Sequence, residues 1–160
     1  MRTVLESIET EYHRYKDLGD KTFAQVSDAQ LNEGPADGNS IAMLVWHIGG
    51  NLRSRFTEFL TTDGEKPWRD RESEFDERNV TRAQMIEKWE DGWKVLLDSL
   101  RHLDDDDLRR KITIRSQELS VLQALQRSLA HTSYHVGQIV FLAKSLRGGG
   151  WKSLTIPRRK

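Results

Sequence analysis

The chain has 160 residues, and its 25 lysines and arginines are balanced by 25 aspartates and glutamates. That balance removes any whole-molecule field for drawing in nucleic acid or an anionic membrane surface, and the length suits one domain, residues 1 to 160, with its own core. There is no cysteine, which excludes a disulfide framework, a thiolate metal site and a cysteine nucleophile on this chain.

The opening residues, MRTVLESIETEYHRY, are charged and amphipathic and lack an apolar signal core. Val4, Leu5, Ile8, Tyr12 and Tyr15 recur at three- and four-residue spacing and predict a first helix from Thr3 to about Val26. NEGPADGNS, residues 32 to 40, is loop by composition, and Ser40 is a natural cap for a second helix from Ile41 to Leu60. A polar connection, residues 61 to 80, is too long for a tight turn; it is expected to cross an end of a bundle and to carry function. Thr81 caps a third helix, residues 82 to about 102, with Trp89 and Trp93 facing inward. LDDDDL, residues 103 to 108, reads as solvated loop, since it lacks the glycine and terminal glutamate of an EF-hand. KITIRSQ, residues 111 to 117, reads as extended chain or a small hairpin, and a fourth helix runs from Ser120 to about Leu146. Gly148 to Gly150 end it, and the tail WKSLTIPRRK follows. Four long amphipathic helices in a neutral chain predict an all-α four-helix bundle with a long connection between its second and third helices. No apolar run approaches the roughly 20 residues that span a bilayer, so a cytoplasmic protein is expected.

Three histidines stand out. His131 and His135 are four apart, roughly 40° on a helix wheel, at one margin of an apolar arc centred on Leu122, Leu125, Leu129, Val136 and Val140. His47 sits at one edge of the second helix's apolar stripe. Margins that face one cleft would bring the three together, and three neutral imidazoles suit zinc, nickel or iron(II). His13 and His102 read as surface. HExxH, GxSxG and GxGxxG patterns are all absent. Trp46 is placed to cover a cleft or an oligomer surface, and Trp68 and Trp151 to act as lids or subunit contacts.

NSIAMLVWHIGGNLRSRF and LQRSLAHTSYHVGQIVFL together resemble the DinB-like superfamily, with one histidine in the second helix and HxxxH followed by GQI in the fourth. FLTTDGEKPWRDRESEF and WKSLTIPR further resemble a bacterial branch whose function is unassigned. The resemblance implies an up-down-down-up bundle, commonly a homodimer, holding zinc or nickel on His47, His131 and His135. It also implies thiol-dependent transferase chemistry, in which the metal activates a low-molecular-weight thiol. Metal-dependent hydrolysis and a non-catalytic structural metal site are the alternatives, and neither nucleic acid nor membrane is an expected partner. Asn51 and Gln138 are candidates to support a ligand or touch substrate. Glu58, about three turns from His47, is too distant to serve as a base.

Overall fold

In the computed structural model, residues 1–157 are described; the last three residues of the WKSLTIPRRK tail, 158–160, lie outside them. The chain is mainly helical. Its elements are α1 (Thr3–Phe23), α2 (Asp28–Asn32), α3 (Ile41–Phe56), α4 (Arg82–Arg101), β1 (Lys111–Ile114), β2 (Gln117–Ser120) and α5 (Val121–Arg147). Helix α3 packs chiefly on α4 and also on α5, while α1 packs chiefly on α5. No helix among the described residues is long and apolar enough to cross a membrane.

Local chemistry sets most boundaries. Ser40, Thr81 and Ser120 each accept from the backbone N–H three residues on, and Thr81 and Ser120 complete capping boxes with Gln84 and Gln123. Helix α1 stops at Phe23, short of Val26, because Ser27 and Gln30 form another capping box and start the one-turn helix α2. Helix α3 stops at Phe56 and not Leu60. Glu58 takes the left-handed conformation (φ 48°), and the turn brings Phe59 back onto Phe56 with ring centroids 4.9 Å apart.

The acidic run is more than solvated loop. Leu103 and Leu108 are buried, and Asp105 accepts from the Val4 and Leu5 backbone N–H groups at 3.2 and 3.1 Å. Helix α1, which has no capping side chain of its own, is thus capped from about 100 residues away in sequence. Arg2 returns the favour by donating to the Leu100 and Leu103 carbonyls at the end of α4.

The core runs through Tyr12, Phe23, Trp89 and Trp93, all essentially inaccessible to solvent. Trp89 stacks edge-on with both Phe23 and Trp93, and its Nε1 donates to Asp20 at 2.8 Å. Helices α3 and α4 approach through glycine: a Cβ on Gly92 would fall 2.7 Å from the Gly49 Cα.

Strands β1 and β2 form the small hairpin, pairing antiparallel with Ile112 opposite Leu119 and Ile114 opposite Gln117. Its two-residue turn puts Arg115 and Ser116 at φ 53° and 61°, a conformation that favours glycine or asparagine. Asp63 braces it, accepting from both backbone N–H groups at 2.9 and 2.8 Å. Those bonds and a third from the Glu65 N–H hold the Asp63 carboxyl down at about 2, below the usual carboxylate range.

Candidate metal centre

The buried face of α5 differs from the one hydropathy marks. Ala124, Ser128, Thr132, His135 and Ile139 are buried, whereas Leu122, Leu129 and Val140 are only partly so. The inward face is therefore rotated, by roughly 60°, toward the histidine margin. Small hydroxyl residues hold its centre, so an apolar count passes over them. The rotation carries His135 into the interior and leaves His131 half-buried beside it.

Across the cleft, α3 presents His47, only 4% exposed. His47 Nε2 lies 3.1 Å from His131 Nε2, and His135 Nε2 lies 3.2 Å from the same atom. The donor atoms of all three side chains fall within 4.8 Å of one another. Ligands about 2.1 Å from a common ion stand roughly 3.0 Å apart at octahedral corners and roughly 3.4 Å at tetrahedral ones. The two observed separations fall in that range.

Proton bookkeeping sharpens the fit. His47 Nδ1 meets Glu74 Oε2 at 2.9 Å. Burial pushes the Glu74 carboxyl up, but hydrogen bonds from His47 and Arg69 more than offset it and hold the group below its ordinary value. An ionised Glu74 can only accept, so the proton of a neutral His47 is on Nδ1 and its Nε2 carries a lone pair. His135 Nδ1 likewise donates to Gln138 Oε1 at 2.7 Å, leaving its Nε2 bare. Two lone pairs then point at His131 Nε2, which has at most one proton to offer. At least one close N···N contact is therefore repulsive among neutral side chains, and a cation at the centre relieves it. Burial, followed by the neighbouring His135 and His47, pulls His131 down to about 3, which disfavours a charged imidazole at that position. Burial lowers His135 as well.

Glu74, which no spacing in the sequence marks, comes from a 3-10 turn, Glu72–Phe75, in the long connection. Arg69, its side chain 2% exposed, grips the carboxylate with Nε at 2.8 Å and Nη2 at 2.9 Å. Arg78 donates to the Ser73 carbonyl and stacks over Trp46 with its guanidinium 4.7 Å from the ring centroid, pinning the turn to α3. Gly50 makes room, since a Cβ there would sit 2.0 Å from Glu74 Oε1. Phe75 then covers the His47 ring at 4.7 Å.

Beside the triad lies a cavity of about 270 Å³, which Asn51 lines with Phe56, Phe59 and Ser128. Gln138 orients a histidine and Asn51 faces the cavity, whereas Glu58 is spent on the turn after α3, its carbonyl accepting from Thr61 and Thr62. Trp46, Trp68 and Trp151 do not line this cavity; phenylalanines take that place, because the short α3 folds Phe59 back and the connection brings Phe75. His13 and His102 are exposed, as expected.

A family model described as a protein of unknown function, DUF1572, matches residues 1–160, and this family is DinB-like. No curated protein matches the sequence.

Proposed function

The chain belongs to the DUF1572 family, and from its histidine cluster we propose a divalent-metal-binding protein that acts as a transferase using a low-molecular-weight thiol. The observation that carries this reading is the convergence of three imidazole Nε2 atoms, with the Glu74 and Gln138 contacts turning the bare nitrogens of neutral His47 and His135 toward His131. His47, His131 and His135 would hold the ion, zinc or nickel by ligand type. When bound, such an ion supplies Lewis acidity, lowering the pKa of a thiol that reaches it.

The protein's own groups do the remainder. Glu74 and Arg69 fix the His47 tautomer and ring, and Gln138 does the same for His135. Phe56 and Phe59 shield the cavity from water, and Asn51 and Ser128 offer polar contacts to an entering molecule. Because the chain has no cysteine, the thiol arrives from outside. Hydrolysis, by contrast, calls for a free general base. Among the described residues no aspartate or glutamate lines the cavity, and Glu74 is engaged by both Arg69 and His47. A purely structural ion is less consistent with an open cavity beside the ligands. The proposal extends to the up-down-down-up connection of the four long helices and to a cytoplasmic homodimer.

Metal analysis of the purified protein should find about one ion per chain, lost on substituting His131. Zinc- or nickel-loaded protein should turn over monochlorobimane with bacillithiol, mycothiol or glutathione. Stoichiometric metal without turnover above background for any thiol would defeat the transferase reading and leave the metal site standing.

A further inference from the structure

The cavity beside the histidines is strongly one-sided in charge. Arg55, Arg69, Arg71, Arg115 and Arg127 line it, and among the described residues no aspartate or glutamate does. Four of the five have identifiable employment. Arg69 holds Glu74. Arg55 and Arg115 share a single Glu65 oxygen, at 2.9 and 2.8 Å, and Arg71 reaches the exposed Glu72 at 2.7 Å. Arg127, exposed on α5 one turn before His131, has no carboxylate partner among the described residues. Carboxylates are therefore outnumbered by guanidiniums, and a divalent ion would widen the excess.

Two further features point to a ligand in this space. Arg115 is presented from a left-handed turn position that an arginine rarely takes, held there by Asp63. The cavity also joins the cationic groups to an apolar wall of Phe56, Phe59, Phe75 and Ile114. A wall of that kind with convergent forked donors suits a small molecule carrying charge at one end.

We propose that the cavity receives a small-molecule substrate bearing an anionic oxygen group, carboxylate or phosphate, on an apolar body. Arg127 grips the anion through its planar N–H fork, Arg115 adds the Nη groups that its Nε contact with Glu65 leaves free, and the phenylalanines and Ile114 sheathe the remainder. The assignment names the substrate class of the site proposed above, and so rests on reading that cavity as a substrate site.

Calorimetric titration of phenylacetate, phenyl phosphate and the neutral 2-phenylethanol into zinc-loaded protein tests it, with metal content measured on the same samples. At least one anion should bind, with the alcohol about tenfold weaker or more, as expected when a charge-assisted hydrogen bond is lost. The stronger anion identifies carboxylate or phosphate as the group recognised. R127Q should weaken anion binding by about tenfold, and an R127Q/R115Q double variant further, with metal content and thermal midpoint unchanged. Equal binding of alcohol and anions overturns the proposal, as does failure of all three probes to bind. Unchanged affinity in the double variant, with binding lost only on chelation, overturns it too, since the anion would then sit on the metal alone. If wild-type protein lacks stoichiometric metal yet binds an anion through Arg127, the metal reading fails and the anion site stands.

Discussion

Helix α3 shows two contrasting faces. Toward α4 it offers Gly49, so close to Gly92 that neither helix has room for a methyl group, beside a core of Trp89, Trp93 and Tyr12. Toward α5 it offers His47, held in the interior against two other imidazoles, an ionised glutamate and an arginine. The first face is largely apolar, with the Trp89 N–H satisfied at its margin by Asp20 and the buried Trp93 N–H without a partner among the described residues. The second buries polar groups, leaves the Thr132 hydroxyl without a partner among the described residues and keeps a cavity open. Close packing on one side supplies stability, and the other side spends some of it to hold lone pairs in register.

Substitutions on the two faces should separate these roles. On the packed face, Trp89→Ala should have the largest effect on stability, about 3–5 kcal/mol by denaturant titration, with metal stoichiometry retained in the fraction that folds. On the polar face, His131→Ala should reduce metal affinity by about 100-fold or more while the chelated protein loses less than about 1 kcal/mol, because a desolvated imidazole is removed. A large stability loss in chelated His131→Ala would erase the contrast between the faces.

Glu74→Gln tests how the histidines are held. It removes the charge that fixes the His47 tautomer, and metal affinity should fall by about 10- to 100-fold. Gly50→Ala should give a fall of similar direction, since its new Cβ occupies the space of Glu74 Oε1. Competition with a chromogenic chelator measures both. Wild-type affinity in Gly50→Ala would show that Glu74 does not need its present position.

A further contrast lies in pH dependence. With His131 at about 3 when folded, against about 6.5 for a free imidazole, the unfolded chain binds more protons between those values. The chelated protein should therefore lose stability as pH falls from about 6.5 toward 3, and His131→Ala should flatten that slope. Thermal midpoints across the range, taken with chelator, provide the check. A slope unchanged by the substitution would place the buried proton deficit elsewhere.

The helices, their caps and the histidine candidates were open to reading in one dimension. Serine or threonine three residues ahead of a glutamine, and histidines four apart, are local patterns that a 3.6-residue period turns into geometry. The ends of α1 and α3 were less legible, because a short capping box at Ser27 and a left-handed Glu58 override a hydrophobic period that continues past them. The inward face of α5 departs from the hydropathic one for a related reason. Its centre is filled by Ser128 and Thr132, whose small size matters more to packing than their hydroxyls do to hydropathy.

The amino-acid sequence by itself determined that the chain is mainly helical, that any thiol must come from outside, and that His47, His131 and His135 were the imidazoles to watch. Tertiary structure alone decided that their Nε2 atoms meet, that Glu74 and Arg69 stand behind His47, and that five arginines gather around the adjoining cavity. The reason is the separation along the chain. Glu74 lies 27 residues from His47 and His131 lies 84 residues away, so contacts of that kind follow from how helices dock and from no local period.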